Sequence, residues 1–262
     1  MYYEPLKDRV AVLVRRYPAV RSAFYWLLDL LLLRQRYVKR CLLRYGRDFP
    51  GLHYYDAGAG FCQYSWFVLR RFPSSTVLAT DLKGGYLEDF FAYSKAKFPG
   101  RFTWQSADLQ LYTPPGRYHV ATAIDILEHI PDDDAVMANF LACLEPGGVL
   151  IISTPSDSDE AARFTSEHVR PGYDKAALES KLRIHGFEIM ESIYSYGKMG
   201  SLAWRLLLKH PMALMQKTIL AVLLLPLYYL FALPLAQILM WMDLRRHNIT
   251  GTGIIIVARK PA

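Results

Sequence analysis

The stretch Tyr54-Tyr55-Asp56-Ala57-Gly58-Ala59-Gly60-Phe61-Cys62 runs from aromatic residues into an acid and then two glycines one residue apart. Aromatic residues suit a pleated strand, and closely spaced glycines let a backbone turn through positive φ and approach a ligand without Cβ clashes. In a doubly wound sheet, the loop after the first strand faces the ligand crevice. The stretch therefore predicts a nucleotide-type cofactor site just past a strand.

Working outward, LHYYDA, STVLATD, RFTWQSAD, YHVATAID, GGVLIIST, FEIMESIYSY and GTGIIIVARK read as strands, and helical patterns separate the first five. That alternation predicts an α/β fold with a doubly wound, mostly parallel seven-stranded sheet. Residues 51–197 and 249–262 are assigned to this domain. Residues 1–50 form a basic amphipathic helical segment, and 198–248, between the last two strands, a hydrophobic helical insertion.

The chain has 262 residues, 52% of them hydrophobic, enough for a full core. Cys41, Cys62 and Cys143 are odd in number, far apart and in no metal-ligand spacing, so neither a disulfide framework nor a metal site is expected. A reducing compartment fits. The run WLLDLLLL lies deep, contains Asp29 and lacks a small-residue cleavage site, so no signal peptide is expected.

Residues 1–50 hold eleven Lys/Arg and four Asp/Glu, a balance that accounts for the whole net charge of +7. Phe24, Leu27, Leu28, Leu31, Val38, Leu42 and Tyr45 fall near helical spacing there, interleaved with Arg34, Arg36, Lys39, Arg40, Arg44 and Arg47. Such a basic amphipathic helix is either a solvated face on a core-packing helix or a surface drawn to an anionic membrane.

Asp81 closes the second strand, 23 residues after Gly58, the spacing at which a carboxylate accepts hydrogen bonds from ribose hydroxyls. Alone, this also describes a dinucleotide enzyme. Two features favour another cofactor: Gln63 stands where a phosphate-cradling loop needs its third glycine, and Asp56 precedes the loop, where a pyrophosphate gains nothing from an acid. S-adenosylmethionine carries a sulfonium and an ammonium, so a nearby acid is electrostatically favourable. Asp108 ends a third strand within reach of an adenine amino group.

With DAGAG, TD, ADL, DILEHIPD and CLEPGGVLIISTP in this order, residues 52–190 resemble class I S-adenosylmethionine-dependent methyltransferases of the small-molecule and lipid group, which includes quinone-biosynthesis enzymes. The resemblance implies a Rossmann-like methyltransferase fold. It also implies that Asp56, Ala57, Gly58, Ala59 and Gly60 line the methionine part, Asp81 and Leu82 the ribose, Asp108 and Leu109 the adenine, and Asp125 and Ile126 the sulfonium side. Two departures stand out: Cys62 replaces the family's third loop glycine, and His119 replaces the acid usual before the fourth strand. Gly147 and Gly148 are read as making the turn into the fifth strand.

Methyl transfer asks mainly for orientation, desolvation and, for a hydroxyl or carbon acid, a base. His129 in LEHIP is a catalytic candidate or a residue that fixes the loop. His168, Arg170 and Tyr173 in SEHVRPGY follow the fifth strand, where such folds place substrate loops, and Arg170 is expected to pair with an acidic or phosphate group of the substrate. The N/D-P-P-Y/F loop of base and glutamine N-methyltransferases is missing after the fourth strand, and no basic-aromatic stripe accompanies the catalytic half, so no nucleic-acid partner is expected.

Ile219 to Met242 contains no charge, long enough for a membrane helix. A single crossing would strand the last strand on the wrong side, two crossings need more apolar residues, and Pro226 and Pro234 should break a straight helix. A helical pair dipping into one leaflet or lying in the interface fits better, with Arg205, Lys209, His210, Lys217, Arg245, Arg246 and His247 at headgroups and Tyr228, Tyr229 and Trp241 at the interface. The same surface also suits a dimer interface or a lid over a hydrophobic substrate. The expected function is methyl transfer to a lipid-like or isoprenoid acceptor by a cytoplasmic enzyme, peripheral or monotopic on the inner face of the membrane. The competing classes are a soluble dimeric methyltransferase for a small metabolite and a membrane-attached cofactor-binding protein without catalysis.

Overall fold

The computed structural model describes residues 18–157, 168–217 and 221–262; the first 17 residues of the basic segment, Ser166 and Glu167 of SEHVRPGY, Ile219 and the side chain of Lys217 lie outside the described residues. Seven strands, β1 (His53–Ala57), β2 (Thr76–Asp81), β3 (Phe102–Ser106), β4 (Tyr118–Ile124), β5 (Leu144–Pro155), β6 (Glu188–Ser195) and β7 (Gly253–Arg259), pair in the order β3-β2-β1-β4-β5-β7-β6. Neighbours from β3 through β5 are parallel, and β7 runs antiparallel between β5 and β6. This is the mostly parallel, doubly wound sheet that the alternation of elements predicts.

The central strands read as unbroken apolar runs because helices cover both faces. Successive side chains point to opposite faces: Tyr54, Val149, Ile151, Ile255 and Val257 enter one core layer, while Tyr55, Leu150, Ile152, Ile254 and Ile256 enter the other. The first layer is covered by α1 (Pro18–Leu31), α2 (Leu33–Gly46), α3 (Gln63–Arg71), α4 (Gly84–Lys97) and part of the insertion, the second by α5 (Asp133–Cys143) and α6 (Lys175–Ile184). Because β1 is flanked by β2 on one side and β4 on the other, strand order reverses there, and in a doubly wound sheet the ligand crevice lies over the carboxyl ends of the strands at such a point.

The basic segment is two helices rather than one. Leu32 leaves the helical region (φ −111°, ψ 109°). The break lets α1 place the Tyr25 hydroxyl on the Phe61 carbonyl while α2 seats Leu33, Tyr37 and Val38 in the core, which one straight helix would not reach together. Most of the interleaved cations find partners within the chain: Arg34 with Asp125, Lys39 with Asp29, Arg40 and Arg44 with Glu191, and Arg36 with Gln237.

Between β6 and β7 the chain forms α7 (Lys198–Trp204), a π-helical turn (Arg205–Lys209), α8 (His210–Lys217) and α9 (Ala221–Arg245). The widened turn follows from Pro211, which has no N–H to offer the Leu207 carbonyl. His210 N–H reaches back five residues to Arg205 O. The Leu206 and Leu207 carbonyls instead accept from the Tyr228 and Tyr229 hydroxyls, each at 2.7 Å. These tyrosines, expected at a membrane interface, therefore tie α9 back onto the outgoing arm. With Gly200 N–H donating to Asp243 Oδ2 at 2.9 Å, the contacts define an antiparallel helical hairpin.

Pro226 and Pro234 do not end α9, contrary to the sequence-based expectation. Each removes one backbone hydrogen bond, but Ala232, Ala236, Leu239 and Met240 pack into the protein and hold the second half of the helix. Fully buried Asp243 fastens its end, accepting from the Tyr37 hydroxyl (2.7 Å), Gly200 N–H and Asn248 Nδ2 (3.2 Å).

Candidate active site

The loop after β1 has the backbone that its glycines imply. Gly58 (φ 68°) and Gly60 (φ 49°) are left-handed. A Cβ on Gly58 would lie 2.3 Å from Ile126 Cγ2, so only glycine lets the loops after β1 and β4 meet. A Cβ on Gly60 would meet nothing within 4 Å, which leaves that face of the loop open to a ligand. Cys62, in place of the family's third glycine, keeps glycine's left-handed conformation (φ 58°). Cys62, Asp125 (φ 50°) and Tyr196 (φ 53°) are the non-glycine residues with positive φ among the described residues. All three sit beyond the carboxyl ends of β1, β4 and β6, and such backbone strain clusters at binding sites.

The acids take distinct places. Asp56 turns its carboxylate into the protein, accepting from Ser65 N–H (3.0 Å), Ser65 Oγ (2.6 Å) and Thr122 Oγ1 (3.1 Å). Rather than an open acid facing a cation, it is the clamp that holds the start of α3 to β1 and β4. Burial lifts its carboxyl to about 6, against the opposing pull of the Ser65 and Thr122 hydrogen bonds. Asp81 Oδ2 accepts from Gly60 N–H at 2.9 Å, drawing the glycine loop toward β2, and Oδ1 accepts from Lys83 N–H at 2.8 Å; Leu82 beside it is exposed. Asp108 Oδ1 accepts from Gln110 N–H at 2.9 Å, and Leu109 is buried beside it. Ala57 and Ala59 are buried. His119 lies near the opposite end of the sheet, its Nδ1 accepting from His53 N–H, so it bears on β1–β4 pairing rather than on the crevice.

After β4, a single 3₁₀ turn, Leu127–His129, carries His129 to His168, their ring centres 4.5 Å apart and edge to face. One side-chain atom each of Glu128, His129 and His168, of the kinds able to ligate a metal, lies within 4.8 Å of the others. Glu128 is buried, bonded to Thr154 Oγ1 at 3.1 Å, and burial raises its carboxyl above the usual range.

Arg170 and Tyr173 do not join this pair. The Arg170 guanidinium is taken up by Asp133 (2.8 Å), the Tyr173 hydroxyl and the carbonyls of Leu127 and Pro131, while Tyr173 donates to Asp133 at 2.6 Å. The expected pairing of Arg170 with a substrate anion is thus replaced by a clamp between the loop and α5. A different arginine reaches the crevice. Arg34, in the first turn of α2, is ion-paired with Asp125 beside Tyr64 and Tyr196, a placement over 90 residues of separation that no local pattern reveals.

An open glycine loop, Asp81 at the end of β2, and Asp108 and Asp125 around one crevice suit a cationic nucleoside such as S-adenosylmethionine. A family model described as a methyltransferase domain matches residues 61–204, more than half of the chain. The chain belongs to this methyltransferase family. Curated relatives of the methyltransferase include the trans-aconitate 2-methyltransferase of Rhizobium meliloti (strain 1021), 25% identical over 128 residues, 49% of this chain and 48% of the relative. They also include the ubiquinone biosynthesis O-methyltransferase of Coxiella burnetii (strain Dugway 5J108-111), 32% identical over 98 residues, 36% of this chain and 42% of the relative. The chain spans about half the length of the curated relatives it matches, or less.

Among solved structures, a putative sarcosine dimethylglycine methyltransferase from Galdieria sulphuraria aligns with TM-score 0.59 at 15% identity, covering 86% of this chain and 84% of that one. The Haemonchus contortus phosphoethanolamine N-methyltransferase 2, in complex with S-adenosyl-L-methionine, aligns with TM-score 0.58 at 19% identity, covering 84% and 51%. At such identities the likeness establishes the class I methyltransferase fold. Family membership assigns S-adenosylmethionine-dependent methyl transfer to the matched domain.

Proposed function

We propose that this methyltransferase works at a membrane surface, on the cytoplasmic face, and methylates a lipid-like or isoprenoid acceptor. The observation that carries the reading is the apolar face of α9: Leu223, Leu224, Leu227, Leu230 and Phe231 are 61–75% exposed, and Leu235, Ile238 and Trp241 continue the stripe. Exposed Met212, Leu214 and Met215 on α8 extend it across the hairpin. A contiguous apolar surface of this extent, unlike scattered apolar residues, marks an interaction site. The opposite face of α9 is fastened to the catalytic fold, and the chain after it returns to the sheet as β7, so the hairpin dips into one leaflet without crossing.

Bound S-adenosylmethionine supplies an electrophilic methyl group on a sulfonium. The chain supplies the rest. The Gly58–Gly60 loop lets its backbone approach the methionine part, Asp81 receives the ribose, and Asp108 with Leu109 borders the adenine. His129 after β4 and His168 after β5 come together where a proton of the acceptor is held. The hairpin beside the crevice lets a hydrophobic acceptor enter without passing through water.

Vesicle flotation tests the placement. The protein should float with vesicles containing anionic lipid, less so as salt screens the basic residues, and Leu224→Ser/Leu227→Ser/Leu230→Ser/Phe231→Ser should stay at the bottom of the gradient with cofactor binding intact. Mass spectrometry of lipid extracts should reveal a species one methylene heavier only with the active protein. A protein that ignores vesicles and covers this face in a stable dimer would overturn the proposal.

A further inference from the structure

We propose that Arg34, with the hydroxyls of Tyr64 and Tyr196, forms the acceptor subsite of this enzyme and receives an anionic oxygen of the methyl acceptor, giving up Asp125 to do so. The inference rests on the methyltransferase reading with a hydrophobic acceptor and narrows that acceptor to an acid: a carboxylate or phenolate attached to an apolar body.

The cluster has unmet hydrogen-bonding capacity in a closed setting. Arg34 contacts Asp125 through Nη1, but its Nε is buried and makes no hydrogen bond among the described residues. Tyr64 is 2% exposed; its hydroxyl lies against the Arg34 guanidinium and meets no acceptor for its own proton among the described residues. Tyr196 accepts from the Arg34 backbone N–H at 3.1 Å, which leaves its own proton to donate. A buried donor without a partner is costly in a folded protein. An unpartnered Nε with two tyrosine hydroxyls that still have a proton to donate forms a receptor for an oxygen ligand.

The ion pair is not sealed. Side-chain exposure of 27% for Arg34 and 30% for Asp125, just past the carboxyl end of β4, leaves the pair open to a ligand. Asp125 Oδ1 accepts from Ser153 Oγ at 3.3 Å, so the carboxylate keeps a partner when Arg34 lets go. The guanidinium remains positive despite burial, because Tyr64, Tyr196 and Glu128 surround it with oxygen.

Charge makes the same point. Asp125 adjoins Ile126, whose side chain packs on Gly58 of the glycine loop, so on the proposed cofactor placement a fixed cation and a cationic methyl donor share one side of the crevice. Their repulsion is relieved when an acceptor brings its own negative charge between them. An amine acceptor, cationic before it reacts, would add to the repulsion. Planar, bidentate guanidinium geometry suits a carboxylate in particular.

Calorimetry on the full chain, with S-adenosylhomocysteine present, tests this with octanoate against octanol at pH 8, equal in apolar length and different in charge. Octanoate should bind at least tenfold more tightly. The preference should vanish in Arg34→Met and partly persist in Arg34→Lys, while S-adenosylhomocysteine affinity stays within threefold in both. Arg34→Met/Asp125→Asn removes the pair without stranding a charge, so a misfolded single variant does not end the test. Arg44→Met, which removes a cation outside the crevice, should leave the preference unchanged. Equal binding of octanoate and octanol by the wild type, or a preference that survives Arg34→Met, would overturn the assignment. Loss of S-adenosylhomocysteine binding in the wild type would instead overturn the methyltransferase reading beneath it.

Discussion

Replacing Gly58 with alanine is the most direct probe of how the crevice is built. At φ 68° an L-residue costs about 1–2 kcal/mol relative to glycine. The new Cβ would also stand 2.3 Å from Ile126 Cγ2 and 3.2 Å from Ile126 Cβ. Ile126 is β-branched and stiff at χ1, and rotating it does not move its own Cβ, so a loop must shift by about 1 Å to restore ordinary van der Waals separation. Overpacking of this kind adds about 1–3 kcal/mol. The two effects together predict a loss of about 2–5 kcal/mol, which for a domain of this size lowers Tm by roughly 4–20 °C. Calorimetry should show weakened S-adenosylhomocysteine binding as well, since the displaced loop is the one proposed to meet the ligand. The clash and the backbone strain are separable: Gly58→Ala/Ile126→Ala removes the clash and leaves the strain. A double-mutant cycle on stability should therefore give a coupling of about 1–3 kcal/mol between the positions. Additive effects, or a Gly58→Ala protein with unchanged Tm and affinity, would refute the account of the loop.

Asp56 makes a pH-dependent contribution that works against the fold. Below about pH 4 it is protonated in both states; as pH rises toward about 6 the unfolded chain releases its proton first, so stability falls by about 3 kcal/mol across that window and levels off above it. Denaturant midpoints from pH 4 to 7 should show this fall in the wild type and a flatter profile in Asp56→Asn; identical profiles would show that the carboxyl is not perturbed. In the hairpin, Tyr228→Phe and Tyr229→Phe should each cost about 1 kcal/mol by leaving the Leu206 or Leu207 carbonyl without its donor. Pro211→Ala restores an N–H to the turn, so the Tyr229 effect should shrink in that background, and an undiminished cost there would separate the widened turn from the proline.

The order of strands and helices was legible in the residues themselves because its causes are local. Short β-rich apolar runs bounded by turn residues make β1 through β7, and the glycines of DAGAG permit the left-handed loop that follows β1. The placement of Asp81 and Asp108 follows once the strands are parallel, since Asp81 ends β2 and Asp108 lies two residues past the end of β3 at the same edge of the sheet. Even the departure at Cys62 preserved the backbone shape, because the demand at that position is for φ rather than for a side chain. What a side chain does when it gets there was decided elsewhere. Asp56 turned inward because Ser65 and Thr122 offer it three donors, and Arg170 was taken by Asp133 on α5. Arg34 crossed from α2 to Asp125, and Tyr228 and Tyr229 found carbonyls released by Pro211 some 20 residues away. Periodicity assigns a residue to a face, but a buried polar group is paired with whatever donor or acceptor the packed chain brings within hydrogen-bonding distance. That choice depends on contacts between elements far apart along the chain, so it exists only in the tertiary structure.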